Sequence, residues 1–285
     1  MINLNRLKYL IFGYVRVPNA VDSVRASEFR AKMEHITDRR DRFVYAEEFY
    51  KEGLHEYFFS PALVQVYRDI FDENYKISVG GTLHHDNHGI YLTKGRVVPG
   101  VHVDSDYQYF NKDSEMLKLD HRFAKLGIFF QDSDLRINIL AIPCSHIVAR
   151  FFGKLHMQRA FLLVLRFSKY LLSRSCLQNA FRPKIRVGDA LIFDCLLIHA
   201  SDVGRTAASP KKLVLYTEVG EIGAMHNFYK KTVIPRALNE IDPTSKDQKF
   251  ERDPMRYNKQ VQLASGKIGE LVESRHREGF YMYIE

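Results

Sequence analysis

The chain has 285 residues, with 42 Lys and Arg against 34 Asp and Glu, for a formal net charge of +8. An apolar content of 46% with 13% aromatics excludes a disordered or collagen-like chain. A chain of this length buries about 75% of its unfolded surface, enough for one large core or two modest ones. Three cysteines (Cys144, Cys176 and Cys195), odd in number and without a CxxC spacing, exclude a disulfide scaffold and a thiolate zinc site and fit a reducing compartment.

In chain order, Arg6 and Lys8 precede the apolar Tyr9–Val15, but Arg16 follows at once and the chain runs into a turn. That segment is therefore read as mature protein, not a signal peptide. Gly13 to Ser23 is expected to give a short strand and a turn, with Ser23 capping a helix to about His35. Ser60-Pro61 is a helix start with proline in the first turn, and Leu63, Val66, Tyr67 and Ile70 share one apolar face. Ile77–His85, Gly89–Leu92, Arg96–Val103, Leu126–Gln131, Ile137–Ile142, Ala190–Ile198 and Leu213–Val219 read as strands, being short, β-branched or aromatic and bounded by Gly, Pro, Asn and Asp. Phe151–Asn179 is expected as one long helix. Helices followed by a run of strands predict an α+β protein with a sandwich or barrel core over residues 1–225. Within it lies an insertion at about 150–182, and residues 226–285 form a C-terminal extension packing on the same domain. No run approaches the roughly 18 apolar residues of a membrane span, so a cytoplasmic protein is expected, with peripheral membrane contact through 150–182 open.

The charge is not spread evenly. Leu135 to Gly188 contains no acidic residue and ten basic ones, leaving 32 bases against 34 acids elsewhere. On a helical projection Arg159, Arg166, Lys169 and Arg174 fall within an arc of about 140°, opposite Phe161, Val164, Leu165, Leu171 and Leu172. The arc reads either as a solvated basic face or as a surface for an anionic membrane or substrate. Nucleic acid is not expected, because no DNA- or RNA-binding motif accompanies the charge.

Three features carry chemistry. His102-Val-Asp104 ends an expected strand, where residues two apart share a face, so the imidazole and carboxylate converge. Gly188-Asp189 turns into an apolar strand whose alternation aligns Leu191, Phe193, Cys195, Leu197, His199 and Ser201. Lys211-Lys212 then opens a cationic strand after a polar loop holding Arg205. Two histidines and one carboxylate form the facial triad of non-haem Fe(II) oxygenases, with zinc the alternative metal by ligand type. His84, His85 and His88 read as a polar loop or as a second metal site, and Gln131 either lines the pocket or only makes turn hydrogen bonds.

Read together, these features resemble the phytanoyl-CoA dioxygenase family of Fe(II)/2-oxoglutarate oxygenases over about residues 10–220. Gly13-Tyr-Val-Arg-Val-Pro-Asn19 is similar to the family's opening strand, Ser60-Pro61 to its second helix and His102-Val-Asp104 to its metal dyad. Gly127–Asp132 is similar to its central strand, Ile142-Pro-Cys-Ser-His146 to its Pro-Gly-Ser-His turn, and Gly188–Asp194 with His199 to its distal-histidine strand. The resemblance implies a double-stranded β-helix, or jelly roll, with Fe(II) on His102, Asp104 and His199, and with 2-oxoglutarate and O₂ as cosubstrates. It implies a hydroxylase acting on a small-molecule, glycolipid or acyl-CoA-type anionic substrate; Asp104 speaks against halogenation. Pro210 stands where the family has an arginine for the far carboxylate of 2-oxoglutarate; a one-residue gap brings Lys211 into that slot, Arg205 competes for it, and Ser201 matches a position near the cosubstrate. Cys144 stands where the family turn has glycine. The alternative is a non-catalytic jelly roll that binds an anionic ligand or surface.

Overall fold

The structure, a computed structural model, describes residues 3–34, 41–44, 53–78, 81–86, 101–104, 122–130, 139–154, 158–201, 212–228 and 280–281. Helix α1 spans Leu4–Phe12; the Asn3 side chain caps it by accepting from the Asn5 N–H at 2.8 Å, and Gly13 ends it at φ 82°. A Cβ on Gly13 would lie 2.5 Å from His146 Nδ1, so glycine serves both the left-handed turn and a close approach. Strand β1 (Tyr14–Val17), helix α2 (Ser23–Glu34) and strand β2 (Asp41–Val44) follow. Helix α3 (Pro61–Phe71) has the expected proline start, and the Ser60 hydroxyl accepts from the Leu63 N–H at 3.4 Å. Next come β3 (Tyr75–Ser78), β4 (Gly81–Asp86), β5 (Phe123–Phe129) and β6 (Ile139–Ala141). Helices α4 (Ser145–Lys154), α5 (Gln158–Ser173) and α6 (Ser175–Gln178) lead to β7 (Ala190–Asp194), β8 (His199–Ser201), β9 (Lys212–Glu221), α7 (Ile222–Phe228) and β10 (Phe280–Tyr281).

The chain is thus a mixture of helices and antiparallel sheets, as the order of elements predicts. The larger sheet runs β1-β7-β5-β9-β3-β10, with β4 also on β9 and β2 on β4; within it only β10 with β3 is parallel. Strands β3 and β4 lie end to end along one side of β9, opposite Val219–Glu221 and Lys212–Tyr216 respectively, so the strand expected over Ile77–His85 is two strands on one line. His84 and His85 therefore belong to a paired strand and not to a loop. A second, two-stranded sheet pairs β6 with β8.

Four layers result. One face of the large sheet buries Ala124, Leu126, Ile128, Ile192 and Leu215 against Tyr9 of α1, Phe29 of α2 and Leu63, Tyr67 and Ile70 of α3. Its other face meets the small sheet, with Phe129, Leu191, Phe193 and Val214 against Ile139 and Ala141. The outer side of the small sheet rests on α4 and α5: Val103, Leu196 and Ile198 pack with Ala149 and Phe161, and Leu140 and Ala200 with Leu172.

Two expectations are corrected. The helix expected over Phe151–Asn179 is divided: α4 begins earlier, at Ser145, and α5 stops at Ser173 because Arg174 turns extended at ψ 122° before the short α6. The buried face of α5 is still the expected one, with Phe161 and Leu172 inside and Val164, Leu165 and Leu171 half-buried. The alternation expected through Ala190–Ile198 ends at Asp194, where a tight turn carries the chain from the large sheet to the small one. The turn before β7 needs glycine: Gly188 has φ 81°, and a Cβ there would sit 2.3 Å from the Val21 carbonyl oxygen.

Cys144 has φ 65°, the left-handed conformation that glycine adopts freely. Its backbone N–H donates to the Phe12 carbonyl at 3.1 Å, which fixes the turn between β6 and α4. Replacing this half-buried residue by glycine relieves a Cβ penalty of about 1–2 kcal/mol against a somewhat larger unfolded-state entropy. Cys144→Gly is therefore expected to raise stability by up to about 1 kcal/mol in urea unfolding.

Candidate metal centre

The site begins with backbone. His102 and His199 form an antiparallel bridge, each N–H donating to the other's carbonyl at 2.9 Å. Two residues on, the Asp104 N–H donates to the Cys195 carbonyl at 3.0 Å. On the other side of His199, β8 pairs with β6, placing Ala141 opposite His199. The Ser145 hydroxyl donates to the Ile142 carbonyl at 2.7 Å and accepts from the Ile198 N–H at 2.8 Å, seating the strand that carries the histidine.

The side chains then converge. Asp104 Oδ1 lies 3.6 Å from His199 Nε2 and 3.8 Å from His102 Nε2, and one ligand atom from each residue lies within 4.8 Å of the other two. Those two separations are too long for hydrogen bonds. They suit donors each about 2.1 Å from a common ion, which stand about 3 Å apart at right angles and about 4.2 Å apart in line. The chemistry of the set also fits. His199 Nδ1 is 2.9 Å from the Leu197 carbonyl, which can only accept, so Nδ1 donates there and in the neutral ring Nε2 is the nitrogen with a lone pair, on the side of Asp104. Phe193 fixes the His199 ring edge-on at a centroid distance of 5.1 Å. Side-chain exposures of 8% for His199, 20% for Asp104 and 40% for His102 make the triad closed on one side and open on the other. Among the described residues it is the only His/Cys/Asp/Glu group placed to hold a metal.

Cys195 does not add a thiolate. It is buried, and burial followed by the nearby Asp104 carboxylate pushes its thiol well above the ordinary range.

Sequence reasoning missed one pair. Lys125 of β5 stands directly opposite both Phe193 of β7 and Glu218 of β9, and its Nζ meets Glu218 Oε1 at 2.6 Å. Residues directly opposite share a face, so the ion pair lies on the same side of the large sheet as the Phe193 ring that holds His199. Burial disfavours the Lys125 charge, but the Glu218 and Asp104 carboxylates outweigh it and hold the ammonium pKa above its usual value. The signal was a lone charge inside the apolar run Phe123–Phe130.

No family model matches the sequence, and no curated protein matches it either. Solved structures similar to it include the non-heme alpha ketoglutarate dependent epimerase SnoN from nogalamycin biosynthesis, at 13% identity and a TM-score of 0.48, covering 76% of this chain and 81% of that one. HygX from Streptomyces hygroscopicus, with nickel and 2-oxoglutarate bound, is 14% identical with a TM-score of 0.45, over 78% of this chain and 88% of that one. EctD from S. alaskensis with bound Fe is 12% identical with a TM-score of 0.45, over 77% and 76% of the two chains.

The remaining expected site residues fall differently. Ser201 ends β8 opposite Ile139. Gln131, Arg205 and Lys211 lie outside the described residues, as do His88 and most of the expected extension 226–285. His146, the last residue of the turn likened to Pro-Gly-Ser-His, is buried, and its Nε2 lies 3.1 Å from the Leu10 carbonyl, tying α4 to α1.

Proposed function

We propose that the protein is an Fe(II)- and 2-oxoglutarate-dependent oxygenase of the phytanoyl-CoA dioxygenase type, with a jelly-roll core, hydroxylating an anionic substrate. The observation that carries this reading is the convergence of His102, Asp104 and His199, two imidazoles and one carboxylate with an open side, the ligand set of non-haem Fe(II) oxygenases. Iron bound there with 2-oxoglutarate and O₂ would supply the oxidising power, with succinate and CO₂ as co-products. The chain's own residues hold the site ready for it. The Leu197 carbonyl sets the His199 tautomer, Phe193 fixes the ring, and the 102–199 backbone bridge fixes the spacing of the two histidines. The closed side, where the Phe193 ring covers His199, keeps water from the reacting centre.

A dicarboxylate cosubstrate needs a cation for its far carboxylate. Lys125 is on the right sheet face, but Glu218 already neutralises it, so the pair offers little net attraction. That role falls instead to Lys211, one residue before β9 in the sequence, with Arg205 as its competitor. Lysine offers a point charge where arginine would make a two-pronged contact. Lys211→Met is expected to raise the KM for 2-oxoglutarate by about tenfold to a hundredfold, the loss of one charge-assisted hydrogen bond of about 1.5–3 kcal/mol. Lys125→Met should leave that KM nearly unchanged while lowering the melting temperature.

The function itself is tested by adding Fe(II) and 2-oxoglutarate to the protein without oxygen and recording the visible charge-transfer absorption, then admitting oxygen and measuring succinate. Absence of both the band and succinate would remove the oxygenase reading and leave a non-catalytic binding protein.

A further inference from the structure

Of fourteen large apolar side chains exposed among the described residues, twelve lie on three helices: α1, α4 and α5. On α1 they are Leu4, Leu7, Leu10, Ile11 and Phe12, with Leu4 63% exposed. On α4 they are Ile147, Val148 and Phe151, and on α5 Leu162, Leu163, Phe167 and Tyr170, with Leu163 63% exposed. None of the three helices contains an acidic residue.

These helices adjoin. The Cys144 N–H donates to the Phe12 carbonyl at 3.1 Å, His146 Nε2 lies 3.1 Å from the Leu10 carbonyl, and α4 and α5 share the cluster around Ala149 and Phe161. On α5 the exposed bases Arg159, Arg166 and Lys169 alternate with the exposed apolar side chains on one outward face, opposite the buried Phe161, Ser168 and Leu172. Among the described residues no carboxylate pairs with these three bases. Lys8 adds an exposed cation on α1, and the Arg174 guanidinium lies 4.6 Å over the Tyr170 ring.

Apolar and basic side chains mixed on the same outward face discriminate between partners. A nucleic-acid-binding surface is strongly polar and positively charged, which leaves this many projecting leucines and phenylalanines unused. A second copy of the chain would oppose two basic faces and be repelled. An anionic bilayer satisfies both sets of groups: apolar tips enter the acyl boundary, while long basic side chains and aromatic rings remain at the headgroups.

We propose that the outer faces of α4 and α5, joined at one edge by the C-terminal turn of α1, form one docking surface for an anionic lipid bilayer. No helix among the described residues is long and apolar enough to cross a membrane, so the surface lies on the bilayer and does not span it. The inner faces of α4 and α5 carry Val103 and Ile198, neighbours of the metal ligands, so docking sets the triad one helix layer, about 10 Å, behind the lipid surface. Where the oxygenase reading holds, the docked site acts on a lipid-borne anionic substrate.

The test is sedimentation of the full-length protein, without iron or 2-oxoglutarate, with vesicles of phosphatidylcholine alone or with about 30% phosphatidylserine. Binding to the anionic vesicles only, weakened by salt, is expected. R159Q/R166Q/K169Q should reduce it about a hundredfold, since each base contributes about 1 kcal/mol near such a surface. L163S/F167S should also weaken it, and both variants should keep the wild-type melting temperature because the changed side chains are exposed. Equal binding by the triple variant and wild type, no binding to either vesicle, or a wild-type dimer dissociated by the same substitutions without vesicle binding would each overturn the proposal. Because no turnover is measured, the outcome is independent of whether the protein is an oxygenase.

Discussion

His199→Ala is expected to abolish the charge-transfer band and to lower succinate release by more than the roughly 10–100-fold that follows loss of a group merely supporting a metal ligand. The residue is the least exposed of the three and has both ring nitrogens committed, Nδ1 to the Leu197 carbonyl at 2.9 Å and Nε2 toward Asp104 at 3.6 Å. Removing it leaves two ligands, one of them the more exposed His102, and opens a gap beside Phe193. The backbone bridge to His102 does not depend on the side chain, so the variant should fold. A near-native circular dichroism spectrum together with lost iron binding, measured by metal analysis after desalting, separates the loss of a ligand from unfolding. His199→Gln offers a donor at a different reach and should recover only a small part of the affinity. Retained iron binding in His199→Ala would move the metal elsewhere.

Asp194→Ala is expected to cost about 3–5 kcal/mol, the usual consequence of leaving a buried charge without its partner. The Asp194 carboxylate is 1% exposed; Oδ2 accepts from Arg150 at 2.6 Å and Oδ1 from the Leu196 N–H at 2.8 Å. It is the hinge where the chain leaves β7 for β8, and the Gly13 carbonyl accepts from its own N–H at 2.8 Å. Against a typical total of about 5–15 kcal/mol the loss is large, and a fall in melting temperature of about 10–15 °C should follow for a domain of this size. The same turn presents the Cys195 carbonyl to the Asp104 N–H, so the affinity for Fe(II) should fall as well. Asp194→Asn keeps an acceptor for Leu196 and should lie between the two. Arg150→Met should resemble Asp194→Ala in stability, since it strands the other member of the pair.

The candidate metal ligands are legible in the sequence because their chemistry is local: a His and an Asp two residues apart, and a histidine closing an apolar run after a Gly-Asp turn. The helix start at Ser60-Pro61 and the buried stripe of α5 are legible for the same reason, since capping and periodicity act within a few residues. What escapes is decided over longer range or by competing local bonds. The Ser173 hydroxyl donates to the Tyr170 carbonyl at 2.8 Å, a bond that competes with the helix ladder, and α5 stops there although the residues beyond are good helix formers. The Asp194 carboxylate folds Leu196 back on itself, which breaks the alternation expected to run through to Ser201. Lys125 and Glu218 are 93 residues apart and meet only because β5 and β9 pair. The outward apolar side chains of α1 follow from tertiary packing too, since only Tyr9 of that helix is buried.

The reciprocal hydrogen bonds between His102 and His199 join the ends of a long stretch of chain. In a site assembled by its ion, the metal must meet the entropy of closing such a loop, and release of the metal undoes the local structure. Here the peptide groups close it, with Asp104 and Cys195 adding a second tie. The ligand cage is therefore a property of the fold, and an ion can exchange without the polypeptide rearranging around it. Iron bound there would then stabilise the native state by mass action, in proportion to the logarithm of its concentration.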